Sequence, residues 1–169
     1  HTAYSAAKFA VKGFTEALIT DLRLNAPHVK CSVVMPGHIG TSIALNTSQV
    51  HGKGGAMDMS SEEVAFMRSR YSEAGLPVDN LPDDDIRKMV LQVQEDFRDK
   101  APTSASQAAK IILDGVREER WRILVGADAY VLDEIVREAP EEAYEPSLGE
   151  KMRARGHFKL INRDLTEEK

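Results

Sequence analysis

VKCSVVMPGHIGT, from Val29 to Thr41, is a short, β-branched, nearly continuous apolar run that stops on Pro36 and Gly37. A run of this kind, bounded by a Pro-Gly pair, predicts a β-strand covered on both faces. Working upstream, Ala7, Val11, Phe14, Leu18 and Leu22 recur at steps of three and four between Ser5 and Asn25, which predicts a helix with one buried stripe. Asn25 and Pro27 end it. Helix, short turn and buried strand are half of a crossover unit. In open α/β sheets, ligands bind beyond the carboxyl ends of the strands, where Pro36 and Gly37 sit. Gly37 lets a flat ligand approach the backbone, and the amides around Ile39 with the Thr41 hydroxyl suit a carboxamide. The plainer alternative is a Pro-Gly turn with Thr41 as an ordinary helix cap.

Downstream, residues 37–60 are polar and glycine-rich, too long for a connector and too irregular for an element, so they read as a lid or binding loop. Ser60 or Ser61 with Glu63 caps a helix that runs to about Ala74. A second begins at Asp83–Asp85, whose carboxylates favour a helix amino end. Thr103 or Ser104 opens a third, with Ala108, Ile111, Ile112 and Val116 on its apolar face. Trp121–Gly126 (WRILVG) predicts another buried strand, followed by a helix from Asp128 to Arg137. Past Pro140 the chain is charged and weakly patterned, which predicts a carboxyl-terminal extension over 141–169. The expected domain spans residues 1–140, with a lid region over about 42–100. Helices alternating with two buried strands indicate an α/β fold with a parallel sheet; its remaining strands are expected upstream of His1, as in a chain cut from a longer protein.

With 169 residues, 42% of them hydrophobic, the chain suffices for one domain with a real core. A net charge of −5 provides no basic field for nucleic acid or an anionic membrane, and small molecules are the expected partners. No stretch approaches the roughly 20 apolar residues of a membrane span. Cys31 has no partner for a disulfide and is expected in the core, which fits a reducing, cytoplasmic setting.

Tyr4 and Lys8, four residues apart, share a helix face with Lys12 and Thr15, away from the apolar stripe. An ammonium near a phenol favours the phenolate, so such a pair can exchange a proton with a substrate hydroxyl or carbonyl. Y-x-x-x-K also arises by chance, and the pair gains meaning only from the strand and turn that follow. Gly13 interrupts the helix at a cost of about 1 kcal/mol, suggesting that another backbone packs against it.

Other signals are weaker. Gly52–Gly55 (GKGG) lacks the preceding strand and following Lys-Ser/Thr of a phosphate loop and reads as flexible lid. His1, His28, His38, His51 and His157 show no ligand spacing, and no metal is expected. His38, within the Pro-Gly turn, is placed to touch substrate; Met57 and Met59 are lid residues that could line its pocket. Trp121 reads as ordinary packing.

Taken together, YSAAK at 4–8 and PGHIGT at 36–41 resemble the Y-x-x-x-K and P-G-x-[VI]-x-T patterns of the short-chain dehydrogenase/reductase family. The longer phrases AYSAAKFAVKGFTEAL and VVMPGHIGT match it closely, and WRILVG resembles the last strand of its sheet. The resemblance implies a doubly wound, Rossmann-like parallel sheet with helices on both faces, and NAD or NADP as cofactor. It implies an oxidoreductase interconverting an alcohol and a ketone or aldehyde, with Tyr4 as acid/base and Lys8 assisting it and holding the nicotinamide ribose. Pro36, Gly37, Ile39 and Thr41 would fix the nicotinamide. It further implies a homodimer or homotetramer in which the Tyr4 helix packs on its copy. The family's glycine-rich turn, cofactor selector and catalytic serine all precede its Y-x-x-x-K tyrosine and are not in these residues, so this chain alone is expected to bind dinucleotide poorly and to be inactive. A non-catalytic nucleotide-binding or regulatory protein of the same fold is the alternative. The extended, nucleotide-sugar-acting relatives also share Y-x-x-x-K, but the compact PGHIGT arrangement speaks against them.

Overall fold

The structure is a computed structural model describing residues 2–50 and 52–157. Its elements are helix α1 (Thr2–Asn25), strand β1 (Val33–Pro36), the two-residue strand β2 (Ile39–Gly40) and helices α2 (Ile43–Val50), α3 (Ser61–Glu73) and α4 (Asp83–Asp99). The short β3 (Thr103–Ser104), α5 (Ala105–Arg117), β4 (Arg122–Val125), α6 (Ala127–Glu138) and α7 (Ser147–Ala154) follow. Two compact units result: His1–Ile39 with Thr103–Ala143, and Gly40–Pro102 with Tyr144–Lys169.

In the first unit, β1 and β4 pair in parallel, Val33 beside Arg122 through Pro36 beside Val125. Parallel strands need a crossover, which here ends in α5. Ser104 starts that helix: its Oγ accepts from the Gln107 amide at 3.2 Å, while Gln107 Oε1 accepts from the Ser104 amide at 2.9 Å. Ala108 on α5 then meets Ile123 and Val125 of β4, with Val34, Ile39, Ile111 and Ile112 around them. Both β4 side chains are fully buried, each contributing about 1.5–3 kcal/mol of apolar transfer. The two expected strands and their flanking helices are therefore present and parallel.

α1 departs from expectation on one face. Ile19 is buried and Leu18 and Leu22 are half-buried, but Val11 and Phe14 are 63% and 69% exposed. The periodicity correctly gives a helix; burial also needs a partner, and no described residue covers the stripe from Ala7 to Phe14. Gly13 likewise has no atom near the position of a Cβ, so the close backbone expected there does not come from the described residues of this chain.

The second unit is built on Val64 of α3, Val78, and Ile86 of α4, all essentially buried, with Met59, Met67, Tyr71, Leu76, Leu81 and Met89 packed on them. Ser60 caps α3 with Glu63 in the reciprocal arrangement expected from the sequence. Asp83, Asp84 and Asp85 open α4 and pair with Arg68, Arg87 and Lys88 respectively. Two stretches hold more structure than expected. Residues 42–60 include α2 and a 3-10 turn at Ala56–Asp58. The extension includes α7, whose Met152 is buried. His1, His51 and residues 158–169, the rest of that extension, lie outside the described residues.

Candidate functional site

The register of the parallel pair brings both carboxyl ends together. Gly37, just past β1, donates its N–H to the Val125 carbonyl at 2.9 Å, so the ladder runs one residue into the Pro-Gly turn. The His38 N–H then turns away and donates to Oδ2 of Asp128 at 2.5 Å. Asp128 stands in the first turn of α6 behind Gly126, where a carboxylate is favoured by the free amides and dipole of a helix start. It is only 4% exposed, and its Oδ1 has no hydrogen-bond partner among the described residues.

Gly37 has a physical reason here: a Cβ at that position would overlap the Asp128 carboxylate. The turn is thus a half-buried stretch of backbone whose second residue has no side chain, the room it leaves being taken by the Asp128 carboxylate. Ile39 itself packs on the Ala108–Ile123–Val125 cluster, which anchors the far end of the turn.

Tyr4 and Lys8 occupy one face of α1, and the Lys8 ammonium lies over the Tyr4 ring at 5.4 Å from its centroid. Tyr4 is 64% exposed, which leaves its hydroxyl accessible. The remaining expected residues are placed as follows. Thr41 is half-buried and precedes α2, and it belongs to the second unit. Met59 packs on the Val64–Val78–Ile86 core of that unit, and its carbonyl accepts from Arg87 Nε and Nη2 at 3.0 and 2.9 Å. Met57 is exposed. Cys31 is half-buried rather than core, its thiol toward the Thr15 carbonyl. Trp121 borders a shallow recess of about 170 Å³ with Ile19, Leu22, Pro27 and Cys31, at the opposite end of the strands from Gly37.

Sequence reasoning missed Asp128, which it treated only as a helix start. The available signal was an acidic residue two positions after the glycine that ends a buried strand. Among the described residues, no three of His, Cys, Asp or Glu cluster to hold a metal, and no helix is long and apolar enough to cross a membrane.

Residues 1–51 match the family model described as short chain dehydrogenase. Two curated relatives, both named "Putative oxidoreductase SadH", come from Mycobacterium tuberculosis strains CDC 1551 / Oshkosh and ATCC 25618 / H37Rv. Each is 30% identical over 136 residues, covering 80% of this chain and 37% of the relative. The chain thus spans little more than a third of the length of these relatives. No solved structure gives a significant match. With Tyr4, Lys8 and the Pro36–Gly37 turn all inside the matched segment, the chain belongs to the short-chain dehydrogenase family.

Proposed function

We propose that this chain supplies the proton-transfer pair and the nicotinamide ledge of an NAD- or NADP-dependent oxidoreductase that interconverts an alcohol and a ketone or aldehyde. The observation that carries the reading is the Lys8 ammonium over the Tyr4 ring, on the helix that leads into β1 and its Pro-Gly turn. Family membership and relatives named as an oxidoreductase support it. The same reading extends β1 and β4 into a doubly wound, Rossmann-like sheet, because parallel strands are rarely stable as an isolated pair.

In this mechanism the cofactor, when bound, supplies or accepts the hydride at the substrate carbon. Tyr4 handles the proton. In reduction its phenol O–H is given to the carbonyl oxygen; in oxidation its phenolate takes the proton from the hydroxyl. Lys8, whose ammonium lies 5.4 Å from the centre of the Tyr4 ring, would offer its N–H donors to the ribose hydroxyls. Pro36, Gly37 and Ile39 would hold the ring by backbone, Thr41 would offer a hydroxyl, and His38 would face substrate.

The test follows nicotinamide absorbance in the intact protein, with NADH or NADPH and a panel of ketones and alcohols. Tyr4→Phe is expected to lower kcat by about 10²–10⁴-fold, the usual worth of a positioned acid/base. Full rate in that variant would exclude the proton transfer, and no turnover with any pair in the unaltered protein would favour a non-catalytic relative.

A further inference from the structure

Asp128 is a buried carboxylate that the proton transfer does not use. It is 4% exposed, and its Oδ2 accepts a hydrogen bond from the backbone of a residue 90 positions earlier. Burying an ionisable group with one oxygen unpartnered is costly, so this side chain calls for an explanation beyond helix capping. Three placements give one. Oδ2 receives the His38 N–H at 2.5 Å, inside the turn that carries Pro36 and Gly37. Gly37 lacks the Cβ that would strike the carboxylate. Gly126, at φ 98°, brings Asp128 round to the turn, and a Cβ there would lie 2.7 Å from Asp128 Oδ1 and 2.9 Å from Thr103 Oγ1. Two glycines make room for one acid, and the acid grips one amide.

We propose that Asp128 is a positioning residue of the candidate nicotinamide ledge: its carboxylate clamps the His38 amide and so sets the backbone of Pro36–Ile39 against which the ring rests. The assignment rests on the function proposed above only for what the ledge holds; the clamp is a property of the turn. A charge-assisted bond from a backbone amide to a carboxylate is stronger than a neutral one, so it can fix the turn between the end of β1 and β2. The carboxylate never touches the reacting atoms. Its effect passes through the backbone.

The experiment compares Asp128→Asn, Asp128→Ala and Gly37→Ala with the unaltered intact protein by two readouts. Amide hydrogen exchange at His38 reads the clamp without any ligand, with the Ile123 and Val125 amides as an internal reference for global opening. Titration with NADH and NADPH reads the ledge. His38 exchange is expected to rise at least about tenfold in Asp128→Ala and less in Asp128→Asn, which keeps one acceptor oxygen. Dinucleotide affinity should fall in the same order, and Gly37→Ala should behave like Asp128→Ala by displacing the acid. If Asp128→Ala does not fold, the Asn variant decides, since it preserves shape. Unchanged His38 exchange overturns the clamp; raised exchange with unchanged affinity overturns the positioning role. If the unaltered protein binds neither dinucleotide, the proposed function fails, and the clamp stands or falls on exchange alone.

Discussion

Gly115, in the last turn of α5, lies so close to Ile123 of β4 that a Cβ on it would sit 2.7 Å from Cδ1 and 2.8 Å from Cγ1 of the isoleucine. Ile123 is fully buried and has nowhere to retreat. Gly115 therefore lets the helix approach the strand that ends at the candidate site. Alanine in a helix normally gains about 1 kcal/mol over glycine, but overpacking a rigid core costs about 1–3 kcal/mol. Gly115→Ala is expected to lose up to about 2 kcal/mol in urea denaturation. Gly13→Ala, where no described atom lies within 4 Å of the new Cβ, is expected to gain about 0.5–1 kcal/mol. A loss at Gly13 instead would reveal a second backbone on α1, as in packing against a copy of the chain.

Arg122 and Asp133 give the acid dependence. Arg122 Nη1 donates to Asp133 Oδ2 at 2.9 Å and its Nη2 to Oδ1, a fork joining β4 to α6, and Arg137 Nε adds a third donor at 3.0 Å. The hydrogen bonds from Arg122, ahead of those from Arg137, hold the Asp133 carboxyl below its ordinary value despite partial burial. A depressed carboxyl stabilises the fold above its unfolded pKa of about 3.9, and that contribution is lost as pH falls through the folded value. Asp133→Asn should cost about 1–3 kcal/mol at pH 7, because Arg122 is only 16% exposed and would lose its counter-charge. The gap between variant and unaltered protein should narrow toward pH 2–3. A gap of equal size at both pH values would show that charge is not the cause.

Gly126 is the other turn glycine, at φ 98° and with Asp128 and Thr103 crowding its missing Cβ. Gly126→Ala faces both backbone strain and a clash with polar atoms, together on the order of 2–4 kcal/mol. The midpoint of thermal unfolding should fall by several degrees, and the His38 amide should exchange faster than in Gly115→Ala variants of equal stability. Equal exchange in the two would mean that the loss is global rather than local to the ledge.

What the sequence revealed follows from distance along the chain. Tyr4 with Lys8, and Ser60 or Ser61 with Glu63, are pairings within about one helical turn, and their spacing points to them; the structure settles the second on Ser60. α2 was missed because Asn46, Thr47 and Ser48 are poor helix formers with no apolar period around them; it packs on α4, so tertiary contact outweighs propensity there. The clamp of Asp128 on His38 spans 90 residues and depends on the β1–β4 register, which no local pattern encodes. On α1 the period was right and the burial was not, because whether Val11 and Phe14 are covered depends on a surface that local spacing cannot supply.

Arg68 holds the second unit at the joint between α3 and α4. Its Nη1 donates to the carbonyls of Val78 and Leu81 at 2.8 and 2.6 Å, and its Nη2 to Asp83 Oδ1 at 2.7 Å. One side chain thus satisfies two loop carbonyls and an acid of the α4 start, beside the buried Val78. Lysine is a single point donor and cannot reproduce that planar fork. Arg68→Ala is expected to cost about 1–3 kcal/mol, since the Leu81 carbonyl loses its Arg68 donor and the Val78 carbonyl keeps only the Leu81 N–H at 3.1 Å. Arg68→Lys should recover less than half of it. Urea denaturation monitored at Tyr71, which packs on the same core, reads the loss locally. Full recovery by lysine would reduce the interaction to its charge, because a flexible ammonium can still pair with Asp83 but cannot serve both carbonyls while doing so.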